Sequence, residues 1–422
     1  MPASKTRKSK NKVASPDVPP SIHVPQDVSW PAGFTSGAGS AGLKAPGRLD
    51  VAVLAADVAV PAAAMFTTNL VQAAPVLVSK DHLKKSRGLV RAVVANAGNA
   101  NACTGRQGLR DAKEMCALVA KHFRCPVEQV LVASTGVIGR KMDMPKVRRG
   151  IAAALKGLGR TPDHFAAFSQ AICTTDRWRK VASAGVELAR GTVRVVGTTK
   201  GAGMIAPNMA TTLAFLATDA NFTGAALKRS LQTAIAASYN RAMVDGHMST
   251  NDFAVLLASG ASGCKVSGAG DRDDFDSALS TVCLDLASQI VRDGEGATKR
   301  IEIVVTGAKN DEIADGIART IASSALVRTA IFGNDPNWGR IVSAVGYAPG
   351  VKDIRKLRCK IQDVLVYRDG TGTGFDPAQL SRAMKAELVV IEVDLAGGRG
   401  TGFLQASDLT YEYVRINAEY TT

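Results

Sequence analysis

Short apolar runs alternate with segments of helical periodicity along most of this 422-residue chain. Between the runs, apolar residues recur every three or four positions, which predicts helices that bury one face. Strands as apolar as these runs are usually covered on both sides of a sheet. The alternation therefore predicts an α/β fold of layered sheets with helices outside. The predicted strands are VAVLAADVAV at 51–60, VRAVVAN at 90–96, QVLVAS at 129–134, TTLAFLAT at 211–218, DFAVLLAS at 252–259 and IEIVVT at 301–306.

Five segments carry the helical spacing most clearly, and each is expected to pack one apolar stripe against the sheets. The chain is long enough for two medium domains or one large α/β unit. The predicted helices are 106–122, the segment from Ile151 to Leu158 after Pro145, and the stripes Leu227 to Ser238, Leu279 to Ile290 and Ile313 to Ile321.

The seven cysteines are scattered along the chain without a C-x-x-C pair or a histidine at ligand spacing. This distribution indicates neither a zinc site nor a disulfide framework, and it suits a reducing compartment. No apolar run reaches the roughly 18 to 20 residues that a membrane helix needs, and the N-terminus lacks the apolar core of a secretory signal. We therefore expect a soluble cytoplasmic protein, or a mitochondrial one in a eukaryotic source, without metal or cofactor.

The formal net charge of +15 raises the question of a nucleic-acid partner. Five of the positive residues lie among the first twelve positions, so residues 1–30 are expected to form a disordered basic tail. The remaining cations are spread along the chain without interleaved aromatic residues, which disfavours a nucleic-acid surface. A milder consequence of the charge is the attraction of small acidic substrates.

A glycine-rich stretch, KGAGMIAPNMATTLAF at 200–215, joins two predicted strands. Its GAGMIA segment matches the weak form of a dinucleotide fingerprint, but that fingerprint requires a helix to begin in the loop. Here Pro207 interrupts the segment and a predicted strand follows, so a nucleotide site is disfavoured.

The same stretch contains the threonine pair Thr211 and Thr212. One interpretation is that the hydroxyl of a threonine in this pair is a catalytic nucleophile. The chain has no G-x-S-x-G motif, and its five histidines form no recognisable triad, so a hydroxyl nucleophile needs another base. A threonine made N-terminal by cleavage supplies that base itself, because its free α-amine has a pKa of about 7.7 to 8.0. From these residues alone, a half-buried threonine pair at the start of a strand is the other interpretation.

Several further polar stretches accompany the glycine-rich one in a fixed order. They are NAGNANACTG at 96–105, STGVIG at 134–139, STND at 249–252, DGEGATK at 293–299, DPNWGR at 335–340 and DLTYEYVRINAEYTT at 408–422. The segment NDPNWGR at 334–340 is expected to form a compact polar turn. Together these motifs resemble the ornithine acetyltransferase family, also called glutamate N-acetyltransferases, from about residue 30 to the C-terminus. The resemblance implies a self-cleaving architecture of the N-terminal-nucleophile type.

That family cleaves itself between Ala and Thr of an N-M-A-T motif, which corresponds here to a cut between Ala210 and Thr211. The resemblance implies an α chain of residues 31–210 and a β chain of residues 211–422, assembled as a heterotetramer with two copies of each. It also implies that Thr211 takes the acetyl group of N-acetylornithine as an ester and passes it to glutamate. This transfer belongs to the cyclic pathway of arginine biosynthesis.

The resemblance assigns single roles to positions within the motifs. Thr135 and Gly136 are implied to form the oxyanion hole, and loss of one such donor typically slows a reaction by about 10² to 10³. Lys200 is expected to bind a substrate carboxylate and Glu295 a substrate ammonium. The implied substrate contacts are Thr174, Lys200, Thr211, Glu295, Asn417 and Thr422.

Two stretches depart from the family pattern and leave substrate preference open. They are DGHMSTND, with His247 and Met248, and RWRK at 177–180, which follows CTTD. No residue decides whether acetyl-CoA is a second donor. Two rival functions also stay open. One is an amidohydrolase or aminopeptidase of the same architecture, in which water accepts the acyl group, and the other is a nucleotide- or nucleic-acid-binding module built on the glycine loop and the basic tail.

Overall fold

The computed structural model describes residues 25–207 and 212–419. The expectations for most of the basic tail, for Ala210 and Thr211 at the expected cut, and for Thr422 at the C-terminus lie outside the described residues. Among the helices of the two described ranges, none combines the length and apolar character needed to cross a bilayer.

The strands of the described ranges form two hydrogen-bonded β-sheets, which we call the first and the second ladder, and helices cover them. In chain order, the strands are β1 (Phe34–Gly39), β2 (Val51–Phe66), β3 (Leu89–Asn99), β4 (Val130–Val137), β5 (Lys180–Leu188), β6 (Gly191–Lys200), β7 (Leu213–Thr218), β8 (Ala242–Met243), β9 (Phe253–Ala258), β10 (Arg300–Ala308), β11 (Arg358–Ile361), β12 (Val364–Arg368), β13 (Thr371–Gly372), β14 (Leu388–Asp394) and β15 (Gly400–Ser407). The α-helices are α1 (Ala74–Lys85), α2 (Gly105–Phe123), α3 (Met144–Lys156), α4 (Pro162–Ile172), α5 (Gly224–Ala237), α6 (Gly268–Arg292), α7 (Asp311–Ser323), α8 (Ala325–Phe332), α9 (Trp338–Gly346), α10 (Pro377–Ala383) and α11 (Tyr411–Glu419).

The first ladder runs in the order β4-β3-β2-β9-β7-β6-β5, and β1 also pairs with β2. β2 joins the two halves of this ladder, because its residues 51–61 pair with β3 and its residues 62–66 pair with β9. β6 and β7 are antiparallel neighbours, with Lys200 opposite Leu213. The strands on either side of residues 208–211 therefore lie next to each other in one sheet.

Alternating side chains of this first ladder build the cores around it. Residues from both halves, such as Leu54, Val93 and Phe215, contribute to one apolar cluster with Trp30 and helix α4. The opposite faces pack separately, against α2 and α3 in one half and against α5 and α6 in the other. Burial of apolar surface on both sides of a strand is the main favourable term in such packing. The predicted α/β fold of layered sheets with helices outside is confirmed.

The second ladder has the order β13-β12-β11-β14-β10-β15-β8, and its strands all follow residue 241. β10 lies between β14, to which it is parallel, and β15, to which it is antiparallel. Its residues Ile301, Ile303 and Val305 share a core with α7, α8 and α9. After β15 the chain forms α11, the helix that carries Asn417.

The strands and helices predicted from periodicity are present, and most of their ends differ from the prediction by a few residues. α2, for example, spans Gly105–Phe123 where the periodicity predicts 106–122. α3 and α6 begin well before the predicted stripes, at Met144 and Gly268. The prediction of a compact polar turn at 334–340 is wrong for its last three residues, because α9 begins at Trp338. The side chain of Asn337 caps this helix by accepting a hydrogen bond from Arg340 N, which favours the helical start.

Candidate functional site

The side chains of Thr135 and Lys200 meet beside the start of β7. Thr135 lies near the end of β4, Lys200 is the last residue of β6, and the Lys200 ammonium donates to Thr135 Oγ1 at 3.1 Å. Both residues are at most 4% exposed. A hydroxyl that accepts a hydrogen bond can still donate its own hydrogen to another acceptor. This pair can therefore present two donors to one developing negative charge.

Gly136, which directly follows Thr135, has a backbone conformation that residues with a side chain rarely adopt. Its φ angle is +128°, and a Cβ atom here would lie 2.3 Å from the carbonyl carbon of Gly98 on the neighbouring strand. A side chain is excluded on both counts. Asn251 also holds the end of β4 in place, since its side-chain amide donates to Ser134 O at 2.9 Å and to Ala100 O at 2.7 Å. The STND motif is thus hydrogen-bonded to both the STGVIG and the NAGNANACTG motifs.

Thr212, the first described residue after the expected cut, is held by Asp252. Its N–H donates to Asp252 Oδ1 at 2.9 Å, and its carbonyl accepts from Phe253 N at 2.9 Å. Asp252 is fully buried, and its other carboxylate oxygen has no hydrogen-bond partner among the described residues. Burial raises the pKa of Asp252 well above its ordinary value, against the effects of the Thr212 N–H and of nearby Lys200. A carboxyl group that favours its neutral form is therefore bound to the residue that follows Thr211.

Glu295 lies over the glycine loop and contacts the C-terminal helix α11. Its N–H donates to Ala202 O at 2.8 Å, and a Cβ atom on Gly203 would fall 2.6 Å from its carboxylate. Asn417 on α11 donates to Glu295 Oε2 at 3.1 Å. The missing side chain of Gly203 thus leaves the space that the carboxylate occupies.

Asp245 holds the glycine loop through backbone contacts. Its carboxylate accepts from Met204 N at 2.6 Å and from Ile205 N at 2.9 Å. Met204 has a φ angle of +55°, a left-handed conformation that a non-glycine residue adopts at an energetic cost. His247, which departs from the family pattern, donates to Asp245 through its backbone N–H at 3.0 Å. This contact therefore does not depend on the imidazole.

Thr174 is connected to the glycine loop through Asp176. Asp176 Oδ2 accepts from Thr174 N at 2.8 Å, and Oδ1 accepts from Gly201 N at 2.7 Å. The buried ammonium of Lys180 also donates to Oδ1, at 2.7 Å. Burial alone raises the pKa of Asp176, but the cations of Lys180 and Lys200 outweigh this effect and hold that pKa below its usual range. Asp176 is therefore an ionised acceptor that joins two segments of the site.

Two groups of opposite charge thus lie next to the glycine loop. Lys200 directly precedes the loop, and the carboxylate of Glu295 lies against Gly203 within it. An amino acid carries a carboxylate and an ammonium, so a buried cation and an anion next to the same loop can orient such a substrate from both ends. Thr135, in contact with Lys200, adds a donor for an oxyanion. The arrangement suits acyl chemistry on an amino-acid derivative.

Three contacts bring together the site residues that the sequence suggests, as far as the described residues extend. They are Thr135 with Lys200, Thr174 with Gly201 through Asp176, and Glu295 with Asn417. Gly136 directly follows Thr135 in β4. The remaining suggested positions, which lie outside the described residues, are Ala210, Thr211 and Thr422.

Sequence reasoning missed the carboxylates that hold these residues. Asp176, Asp252 and Asp293 each belong to one of the motifs CTTD, STND and DGEGATK, but only their neighbours had roles assigned. An acidic residue within a motif is the signal that the sequence offered. Its meaning depends on partners from distant parts of the chain.

A sequence model of the ArgJ family matches residues 35–422 of this chain. The arginine biosynthesis bifunctional protein ArgJ of Shouchella clausii is 46% identical over 392 residues, which cover 92% of this chain and 95% of that protein. The protein of the same name from Archaeoglobus fulgidus is 45% identical over 363 residues, which cover 85% of this chain and 92% of that protein.

Two solved structures are similar to part of this chain. The crystal structure of arginine biosynthesis bifunctional protein ArgJ from Bacillus halodurans is 43% identical, with 49% of this chain and 98% of that chain covered and a TM-score of 0.48. The structure of ornithine acetyltransferase from Mycobacterium tuberculosis, complexed with ornithine, is 33% identical. It covers 43% of this chain and 94% of its own, with a TM-score of 0.39.

Proposed function

Because this chain belongs to the ArgJ family, we propose that it is a self-processing acetyltransferase that moves the acetyl group of N-acetylornithine to glutamate. The motif resemblance is confirmed by the family match, and the chain is accordingly an enzyme of arginine biosynthesis. The observation that carries the finer proposal is the grouping of Thr135, Gly136 and Lys200 beside β7, with Glu295 and Asn417 along the same glycine loop.

Thr211 is the proposed nucleophile. It directly precedes Thr212, a residue that Asp252 holds by a hydrogen bond. After cleavage, its α-amine is free and, with an ordinary pKa of about 7.7 to 8.0, can take the proton of its own hydroxyl. The hydroxyl oxygen attacks the acetyl carbon, the C–N bond breaks, and ornithine leaves with the proton that the amine returns. The acetyl group remains as an ester on Thr211.

The attack creates a negative oxygen on the former acetyl carbonyl. The Thr135 hydroxyl and the Gly136 N–H are proposed to donate to this oxygen, and the Lys200 cation bonded to Thr135 favours the negative charge. In the second half-reaction, the α-amine of glutamate attacks the ester carbon, the ester C–O bond breaks, and the Thr211 α-amine passes the proton lost by the attacking nitrogen to the leaving Thr211 oxygen. The products are N-acetylglutamate and the free threonine hydroxyl. The same donors serve both halves, since each passes through a tetrahedral intermediate.

The charged groups around the loop are proposed to select amino-acid substrates. N-Acetylornithine carries a carboxylate and a free side-chain ammonium, and glutamate carries carboxylates and an ammonium. Lys200 and Thr174 would bind a carboxylate, and Glu295 with Asn417 would bind an ammonium. Thr422 is a further proposed contact. Acetyl-CoA carries the same acetyl group and is the second donor to be tested.

Self-cleavage between Ala210 and Thr211 is proposed to give an α chain of residues 31–210 and a β chain of residues 211–422 that stay together. Support comes from the first ladder, in which β6 and β7 pair along six residues from Val195 to Lys200. The segments on both sides of the expected cut thus belong to one sheet. Two copies of each chain are proposed to assemble as a heterotetramer.

One set of measurements tests cleavage and transfer together. Denaturing electrophoresis of the wild type should give two bands, and the second should begin at Thr211, whereas Thr211→Ala should remain one chain. N-Acetylornithine alone should add about 42 Da to the fragment that begins at Thr211, the mass of an acetyl group that replaces a hydrogen. Addition of glutamate should remove this mass and yield N-acetylglutamate.

Other outcomes would support different functions. An active preparation that remains a single uncut chain would contradict the proposed nucleophile. Acetate release without glutamate and without N-acetylglutamate would favour the hydrolase alternative. Salt-dependent oligonucleotide binding that disappears when residues 1–12 are removed would favour the nucleic-acid alternative. N-Acetylglutamate formation from acetyl-CoA would establish the second donor.

A further inference from the structure

Lys180 lies at the centre of a buried cluster of charges next to the glycine loop. Its side chain is 0% exposed, and its ammonium donates to Asp176 Oδ1 at 2.7 Å and to Asp293 Oδ2 at 2.5 Å. Both carboxylate side chains are also completely buried. Burial opposes the charged form of Lys180, but the two carboxylates outweigh it and raise its pKa above the usual value. The cluster is therefore built around a cation.

Each carboxylate belongs to a different segment of the proposed site. Asp176 accepts the N–H groups of Thr174 and Gly201, at 2.8 and 2.7 Å. Asp293 lies two residues before Glu295, directly after the end of α6. The ammonium between the two carboxylates thus joins segments that are separate in the chain.

We propose that Lys180 is a positioning residue. It keeps Thr174, Lys200 and Glu295 at the relative positions that are needed to bind one amino-acid substrate. The inference rests on the proposed function of those three residues as substrate contacts. The N–H of Thr174 donates directly to Asp176, and Lys200 is connected to Asp176 through the N–H of the next residue, Gly201. Glu295 is connected to Lys180 through Asp293, which lies two residues before it. Lys180 itself contacts no substrate and acts only through its two carboxylates.

A cation is required at this position because the two buried carboxylates would otherwise repel each other. Removal of one partner from a buried ion pair leaves an uncompensated charge, which moves or takes up a proton. Arg177 donates to Asp293 through N at 3.1 Å and through Nε at 2.9 Å, so Asp293 keeps one cation when Lys180 is lost. Arg177 directly follows Asp176 in the chain, so this contact still joins the two segments, although the cation between the two carboxylates is gone. Loss of Lys180 should therefore let the two carboxylates move apart and shift the Glu295 segment relative to the Thr174 segment.

The test compares Lys180→Met with Lys360→Met as a matched control. Lys360 pairs with Glu392 at 3.4 Å in the second ladder, so the control removes a lysine–carboxylate pair by the same substitution at another place. The full-length protein is assayed for the KM values of N-acetylornithine and glutamate, for kcat, and for ornithine binding by calorimetry.

Lys180→Met is expected to raise both KM values and the ornithine Kd by about tenfold or more, because small displacements of binding groups are costly. The Lys360→Met control should stay within about twofold of the wild type, the scatter of such measurements when no binding group moves. A purely structural role would reduce the folded fraction, which lowers the apparent kcat but leaves KM and Kd unchanged. The rise in KM and Kd is therefore the signature of positioning.

A second variant serves if Lys180→Met does not fold. The double variant Lys180→Met/Asp293→Asn removes one cation and one anion, so the net charge of the cluster stays the same, and the same rise in KM and Kd is expected. Wild-type values of KM and Kd in the variant that folds would overturn the proposal. A wild type that binds ornithine but transfers no acetyl group would contradict the proposed function. The difference in ornithine Kd between the wild type and the Lys180 variant would still test the positioning role of Lys180. A wild type that does not bind ornithine would contradict both.

Discussion

Gly203→Ala tests Glu295 as a substrate contact without changing Glu295 itself. The substitution adds a Cβ atom 2.6 Å from the Glu295 carboxylate, whereas ordinary van der Waals contact begins at 3.4 Å. The carboxylate must therefore move by about 0.8 Å, the difference between these two distances. The obstructing atoms form the far end of a flexible side chain, so the fold should accommodate the methyl group. The effect should be confined to the position of the negative charge.

The cost to substrate binding follows from the distance dependence of a charge pair. An ammonium bound to the carboxylate at about 2.8 Å would lie at about 3.6 Å after the shift. With an effective dielectric constant of about 20, the attraction weakens by about 1.3 kcal/mol. This loss corresponds to an increase of about tenfold in KM for a substrate whose ammonium Glu295 binds.

Steady-state kinetics with N-acetylornithine and glutamate measures this effect. The KM of at least one substrate should rise about tenfold in Gly203→Ala, while the melting temperature should stay near that of the wild type. Gly185→Ala is the matched control, since a Cβ atom there meets nothing within 4 Å. Wild-type KM values in Gly203→Ala would refute the reasoning, because a displaced carboxylate that leaves binding unchanged does not contact the substrate.

Three further changes probe the oxyanion donor and two buried carboxylates. Thr135→Val should lower kcat by about 10² to 10³ with little change in KM, because an oxyanion donor acts on the transition state, and a kcat near that of the wild type would rule out this role. Asp252→Asn should raise the melting temperature at pH 8 but not at pH 4. The folded-state pKa of Asp252 is raised, so its contribution to stability is present below the unfolded pKa of about 3.9 and is lost as the pH rises. An equal change at both pH values would contradict this assignment. Asp176→Asn should show the opposite dependence. The folded-state pKa of Asp176 is lowered, so its contribution is present above about 3.9 and is lost as the pH falls. The melting temperatures of this variant and the wild type should therefore differ most at neutral pH, and the difference should begin to shrink only below about pH 4. A difference that stays constant as the pH falls below this value would count against the ionised form.

The periodic elements could be predicted because each buries a continuous apolar face. β7 and β9 are buried at every position, and α2 places Met115, Cys116 and Val119 in a core. Such burial leaves a local signal in the sequence. β13 has only two residues, and β11 alternates exposed and buried positions over four residues, so neither carries a signal of useful length.

The motifs indicated which residues meet at the site but not the groups that hold them. Lys180 stands in the basic stretch RWRK, and lysine is rarely fully buried, so the sequence favours a surface position. Its two carboxylate partners are 4 and 113 positions away in the chain. The contact between Thr212 and Asp252 spans 40 positions. Desolvation and charge pairing are properties of the folded chain, and no local pattern encodes them.

The pairing of β6 with β7, and of β2 with β9, affects how this protein can be produced in two pieces. A fragment that ends at residue 207 would leave the hydrogen-bonding edges of β6 and of the second half of β2 without neighbours. Unpaired strand edges recruit other chains, so separately synthesised halves should aggregate. Synthesis as one polypeptide, with any break made only after folding, lets each strand find its own neighbour before it meets another molecule.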